Sequence, residues 1–305
     1  MKKGVLLTGG SGFIGQNIKE LWRCSDKAAQ YELFAPSHKE LELSDATAVR
    51  KWFSKHSVDA VIHSATKPGH RNAKDLNGVY RTNMQMFTSL YEAARVSGTE
   101  RFLFLGSGSE FDMENYRPKM NELSLGEYIP KDDTGFSKYS CTRMMEGNVG
   151  FINVRFFGIF GKYEDYAIRF ISNAIAKILF DLPITIKQDR RFDYVSVEDG
   201  IEVIERFLQV PLENILYTDY NITPDESVSL LEIAQLVREV AGKPNHPIEV
   251  KMDGIGLEYS GDNGRLKSLF PDLHIVPLAE SVKRLYTWYS INKETLDKEV
   301  LLVDK

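Results

Sequence analysis

Residues 8–15, Thr8-Gly9-Gly10-Ser11-Gly12-Phe13-Ile14-Gly15, decide how this chain is read. They follow the apolar run Val5-Leu6-Leu7 and open a stretch whose apolar residues Ile14, Ile18, Leu21 and Trp22 recur at helical spacing. In that strand-to-helix setting each glycine has a use: Gly9 permits a tight turn, Gly12 lets backbone approach a pyrophosphate, and Gly15 lets the helix pack closely. The helix start then offers unpaired N–H groups to phosphate oxygens. Isolated glycines would read as an ordinary flexible turn. Flanked by a strand and a helix, these read as a dinucleotide cradle.

Outward from the cradle, strand-like runs at 5–8, 31–35, 60–63, 102–106 and 153–157 alternate with helix-like segments at 14–24, 46–55, 82–97 and 137–146. Such alternation gives parallel strands joined by crossover helices. Right-handed crossovers then produce an α/β fold, a Rossmann-type doubly wound parallel sheet with ligands at its carboxyl edge. The second half is less regular, with helices expected at 168–180, 200–208 and 230–240 and a strand at 184–187. It reads as a smaller, discontinuous C-terminal substrate lobe. The expected division gives 1–157 and 191–213 to an NAD(P)-binding domain, and 158–190 and 214–305 to the substrate-binding lobe. No repeat, low-complexity tract or flexible linker separates them, so a shared cleft is expected.

Composition narrows the partners. With 43% apolar residues, 27% charged residues and a formal net charge of -5, the chain shows no basic stripe, and nucleic acid is not an expected partner. Cys24 and Cys141 stand far apart and outside any metal-ligand spacing, so neither a disulfide framework nor a metal site is expected. The apolar run after Lys2-Lys3 is too short for a signal peptide, and nothing approaches the roughly 20 apolar residues of a membrane span. The expectation is a mature, soluble, cytoplasmic protein with no membrane partner.

Further motifs follow in order: Asp59-Ala60-Val61-Ile62-His63-Ser64-Ala65-Thr66, Arg81-Thr82-Asn83, Leu105-Gly106-Ser107-Gly108-Ser109-Glu110-Phe111, Thr134-Gly135-Phe136-Ser137-Lys138 and Arg190-Arg191-Phe192-Asp193-Tyr194. With the Gly-x-x-Gly-x-x-Gly turn, they resemble the extended short-chain dehydrogenase/reductase family, in its nucleotide-sugar 4-ketoreductase and epimerase branch. The resemblance runs from Lys3 to about Thr287. It implies an NAD(P) cofactor held by Gly9, Gly12, Phe13, Ile14 and Gly15, with Leu43 against the adenine. Ser64, Ala65 and Thr66 would lie beneath the cofactor, Asn83 would be the structural asparagine beside it, and Lys138 would reach the nicotinamide ribose. NAD sites place an acid at the end of the second strand, where this chain has Ser37-His38-Lys39. Those donors suit a 2′-phosphate, so NADP is preferred and NAD remains possible; the alternative is that His38 and Lys39 decorate a solvated loop.

In this family a Ser or Thr and a Tyr-x-x-x-Lys pair carry the chemistry, the lysine and ribose lowering the tyrosine's pKa so that the phenol exchanges a proton with a sugar oxygen. The i, i+4 spacing puts both on one helical face. Here Ser107 and Lys138 are the catalytic candidates, but Thr134 occupies the tyrosine position, and an aliphatic hydroxyl is a far weaker acid than a phenol. Impaired turnover is the expectation. Tyr139 follows Lys138 directly and does not share its face; Tyr128 lies in a neighbouring loop. Three explanations stay open: an inactivated variant, an altered catalyst using another acid, and a protein retained for binding. The first is preferred because the rest of the site is equipped, and restoring tyrosine at position 134 tests it.

On the substrate side the resemblance assigns a nucleotide-diphosphate sugar to Ser107, Ser109, Arg190, Arg191 and Arg265, the arginines suiting a diphosphate. Gly158 replaces the family's asparagine and Phe160 its tyrosine. Dehydratases carry an Asp-Glu pair where Gly108-Ser109 stand, so dehydration is disfavoured. NADPH points to reduction of a 4-keto deoxysugar. A 4-epimerase is the main alternative, and a non-catalytic NAD(P) and nucleotide-sugar binder is the alternative of another class. The helices containing Asn83 and Lys138 would form a homodimer interface.

Overall fold

The computed structural model describes residues 2–70 and 72–303. Its centre is a sheet of six strands, β1 (Lys3–Thr8), β2 (Tyr31–Phe34), β3 (Ala60–His63), β4 (Arg101–Ser107), β5 (Phe151–Phe156) and β6 (Asp219–Ile222), in the order β6-β5-β4-β3-β1-β2. Every pairing is parallel. The inner strands are apolar on both faces because helices cover both. On one face α1 (Phe13–Arg23) presents Ile18 and Trp22 to Val5, Leu7 and Ile62. On the other, α2 (Ala46–Phe53), α3 (Val79–Ser97) and α4 (Asp133–Met145) bring Val49, Phe87, Leu90 and Met145 against Leu6, Val61, Phe102 and Phe104. The alternation of Leu6 with Val5 and Leu7 between the two cores is the period of a strand.

A third cluster forms the smaller lobe. Helices α5 (Phe170–Leu179), α7 (Leu230–Val240) and α9 (Leu278–Ile291) pack around Ile175, Ile186, Ile233 and Leu285, beside Ile184–Asp189 paired in parallel with Ile248–Ile255. Between these lobe elements the chain returns to the sheet twice. Helix α6 (Val197–Gln209) buries Ile201, Ile204 and Phe207 in the α1-side core, and α8 (Gly264–Leu269) adds Leu266 there.

Two differences from the expected layout have physical causes. The sixth strand and α8 lie within 214–305, a stretch expected wholly in the lobe; Asp219-Tyr220-Asn221-Ile222 is only four residues long, and its polar members are buried against partners distant in sequence. Helix α4 begins at Asp133, four residues earlier than expected, because the Asp132 carboxylate caps it by accepting from the Gly135 N–H at 2.9 Å. Thr134 is therefore a first-turn residue.

Candidate active site

At the end of β1 the chain turns on Gly9 with φ at +70°, and Gly12 N–H closes the turn on Gly9 O at 2.9 Å. A Cβ on Gly9 would lie 2.7 Å from Ala65 N, and one on Gly15 would lie 2.3 Å from Gly9 O. Both glycines are therefore required by close approach, one between turns and one between helix and turn. Gly12 caps α1 without a side chain, no acid stands in the first helical turn, and Phe13 and Ile14 are half-buried beneath it. The first N–H groups of α1 thus have no side-chain acceptor, which leaves them free for a diphosphate. The donor set fits the dinucleotide that the sequence implies.

The adjacent turn after β3, which carries Ser64, Ala65 and Thr66, is locked to the cradle. Thr8 Oγ1 accepts from Ala65 N–H at 3.2 Å and lies 2.7 Å from His63 Nδ1. Burial, then the nearby Lys138 charge, pulls His63 down to about 3, so its imidazole is neutral and structural. Asn83 clamps the chain just beyond: its Oδ1 accepts from Lys67 N–H at 2.7 Å and its Nδ2 donates to Lys67 O at 3.1 Å. Its amide is spent on backbone, which makes it a positioning residue.

After β2, Ser37 donates its N–H to Glu40 Oε2 at 2.7 Å, and His38 Nε2 stands 2.9 Å from Glu42 Oε2. The Ser37 bond holds the Glu40 carboxyl below its ordinary pKa. Carboxylates therefore accompany the donors in this turn, supplied by residues three and four positions beyond those the sequence pattern inspects; Lys39 is exposed. Leu43 is buried in the core shared by α2 and the sheet.

Ser107 ends β4 on the carboxyl edge. Its N–H donates to Glu110 Oε1 at 2.9 Å, and its Oγ accepts from Ser109 N–H at 3.2 Å. Lys138 reaches β4 from α4, donating from Nζ to Leu105 O at 2.7 Å, and is half-buried, with burial lowering its pKa and the Glu110 charge opposing that fall. Glu110, absent from the sequence reading, anchors the edge: it pairs with Arg155 at 2.9 Å, both side chains are 0% exposed, and it also accepts from Thr142 and Asn153. Arg155 bridges onward to Asp219 at 2.9 Å and Asn221 at 3.0 Å. The pairing is visible only in three dimensions.

Thr134 stands beside the chain leaving β3, where a Cβ on Gly69 would lie 2.1 Å from Thr134 Oγ1. The backbone at Gly69 thus rests on the threonine, in space that a larger residue at position 134 would contest. Tyr139 turns towards the loop at Gly126 and stacks on Phe136, and Tyr128 is 53% exposed. A different phenol is near Ser107. Tyr259 is 8% exposed, and its hydroxyl stands against Gly108, the residue after Ser107, where a Cβ would lie 2.5 Å from it; burial raises its pKa and Ser107 offsets part of the rise.

From the lobe side, Arg190 lies over the Phe192 ring at 4.8 Å, and its buried Nε lacks a hydrogen-bond partner among the described residues. Arg169, which the sequence reading missed, precedes α5 and is exposed, and its charge acts on Tyr259, Tyr194 and Glu164. The buried Ser109 and Tyr116 hydroxyls likewise have no partner among the described residues. Arg191 and Arg265 are placed otherwise. Arg191 is committed to Ser227 and to Glu232 at 3.2 Å. Arg265 pairs with Asp219 at 2.6 Å and lies over Tyr217 at 4.1 Å, lining a hollow with Glu146–Phe151 at the amino-terminal end of β5. The diphosphate role expected of Arg265 therefore has no support in its position, because local carboxylates hold it away from the carboxyl edge. No helix among the described residues is long and apolar enough to cross a membrane, and no group of three or more potential metal ligands occurs among them.

The chain shares 23% identity with GDP-L-colitose synthase of Yersinia pseudotuberculosis, over 96% of this chain and 99% of that one. It shares 25% identity with dTDP-4-dehydro-6-deoxyglucose reductase of Escherichia coli, over 84% and 89%. Among solved structures, the NADP-bound GDP-mannoheptose C4 reductase of Campylobacter jejuni superposes with a TM-score of 0.79 at 19% identity, over 94% of this chain and 98% of that one. The family pattern described as the NAD dependent epimerase/dehydratase family matches residues 5–223. With its glycine cradle and six-stranded parallel sheet, the chain belongs to the NAD dependent epimerase/dehydratase family.

Proposed function

We propose that the protein is a reductase of a nucleoside-diphosphate-linked 4-keto sugar, working with NADPH. The observation that carries this reading is that Lys138 reaches β4 at Leu105 O, two residues before Ser107 ends the strand, on the same sheet edge as the uncapped start of α1. The cofactor would supply a hydride to the sugar's carbonyl carbon. This chain's residues do the rest: Ser107 holds the carbonyl oxygen, and Lys138 fixes the ribose and keeps positive charge nearby. On the lobe side the buried Nε of Arg190 has no hydrogen-bond partner among the described residues and Arg169 is exposed, and both would answer a diphosphate. Several relatives bear names of GDP- or dTDP-linked 4-keto-sugar reductases and synthases, which supports the same reading.

Ser37, His38 and Lys39 favour NADP, whose 2′-phosphate would displace Glu40 from the Ser37 N–H. Glu40 and Glu42 are also the observation that favours a second reading, a 4-epimerase retaining NAD, since a carboxylate suits a free 2′-hydroxyl. Thr134 favours a third, a binding protein without turnover. The test is to add purified protein to NADPH and a series of GDP- and dTDP-linked 4-keto-6-deoxyhexoses, following loss of reduced nicotinamide and identifying the sugar product. Consumption of NADPH with formation of a 4-hydroxy sugar is expected. Stoichiometric NAD on the purified protein with interconversion of 4-epimers, or binding of both ligands with no conversion, would replace the reading.

A further inference from the structure

We propose that Tyr259 is the proton donor to the substrate oxygen held by Ser107, the role that α4 leaves unfilled at Thr134. The inference rests on the reductase reading above and adds a catalytic residue from the lobe.

Three features of the chain place the phenol there. Its backbone is fixed on both sides, Tyr259 N–H donating to Arg191 O at 2.9 Å and Tyr259 O accepting from Asp193 N–H at 3.2 Å. Its ring is wedged between Tyr116, 4.9 Å away by ring centres, and Phe157 at 5.4 Å. Its hydroxyl reaches the end of β4 because position 108 has no side chain: a Cβ on Gly108 would lie 2.5 Å from Tyr259 Oη and 2.7 Å from the Phe157 ring. The tyrosines nearer Thr134 in sequence are directed elsewhere, Tyr139 to the Gly126 loop and Tyr128 to solvent.

Burial raises the Tyr259 pKa, so the phenol is protonated and able to donate at neutral pH; Ser107 opposes that rise, the Glu110 charge adds to it, and the Arg169 and Arg155 charges favour the phenolate left behind. In the step itself two electrons and a hydrogen arrive at the carbonyl carbon as hydride from a reduced nicotinamide. The carbon–oxygen π bond breaks, and the oxygen takes the Tyr259 proton. The phenolate regains a proton from solvent as the alcohol leaves.

The test compares wild type with Tyr259→Phe, which keeps the ring and its packing, and with Ser107→Ala, after checking that all three unfold at similar temperatures. Loss of the acid is expected to lower kcat at least about a hundredfold, with the NADPH Kd unchanged. Calorimetry supplies a readout independent of turnover: Tyr259→Phe is expected to bind the 4-keto nucleotide sugar about tenfold more weakly, as befits loss of one hydrogen bond. Equal turnover and equal sugar affinity in wild type and Tyr259→Phe would overturn the proposal and leave the reductase reading standing. A wild-type protein that binds neither NADPH nor any nucleotide sugar would overturn both. If wild type binds without turning over, the affinity comparison decides: a tenfold difference supports the contact, and none refutes it.

Discussion

The cradle after β1 and the edge after β4 lie on the same side of the sheet and are built by opposite means. The first is backbone: glycines brought so close to one another and to Ala65 that a methyl group at Gly9 or Gly15 has no room. The second is side chain: Ser107 hangs from Glu110, Glu110 from Arg155, and Arg155 from Asp219 and Asn221, all in the dry interior. A backbone site tolerates no added atoms but needs few partners. A buried ionic site admits no loss of a partner, because each charge left alone keeps the full desolvation penalty.

That contrast is broken most severely at Glu110. Replacing it with alanine strands the Arg155 guanidinium, and a loss of about 3–5 kcal/mol in urea unfolding is expected, with loss of turnover. A stability within about 1 kcal/mol of wild type would mean that water or a rearrangement serves Arg155 instead. Next comes Gly15→Ala, whose new methyl meets Gly9 O and Gly10; overpacking of about 1–3 kcal/mol is expected, together with at least a tenfold weaker NADPH Kd by fluorescence titration. Unchanged affinity would show that the turn relaxes freely.

The smallest effect sharpens the comparison by carrying it into the lobe. Glu164 is raised to about 8, chiefly by burial, with Ser172 and Arg169 opposing. Its folded pKa exceeds its unfolded value, so it contributes stability that is complete below about 4.5 and is lost as pH rises towards about 8. Between pH 6 and pH 7 wild type should therefore lose up to about 1.4 kcal/mol relative to Glu164→Gln. Parallel pH profiles of Tm for the two proteins would show that this carboxyl ionises unhindered.

The same contrast explains what could be read from the chain alone. Gly9, Gly12 and Gly15 announce the cradle because local backbone geometry requires them at fixed spacing, and the strands around them are short apolar runs with a period of two. Ser107 and Lys138 were named through a motif, and the bond from Lys138 to Leu105 O follows from β4 and α4 being neighbours. Glu110 was not, because an acid in a motif looks exposed until Arg155, 45 residues on, is placed against it. Arg265 looked like a ligand contact for the converse reason: its partner Asp219 lies on an edge strand too short to notice, and Tyr217 two residues ahead of it. Tyr259 is a lone aromatic in a polar stretch, 152 positions after Ser107 by residue number, and nothing local marks it.

The bare position beside that phenol also constrains descent. Enzymes that eliminate water from sugars set an acidic side chain immediately after the hydroxyl residue, and here such a substitution at Gly108 would drive directly into Tyr259 and Phe157. An acid could enter there only if the Tyr259 and Phe157 rings gave way together, so a change at one position would reshape both walls of the strand end.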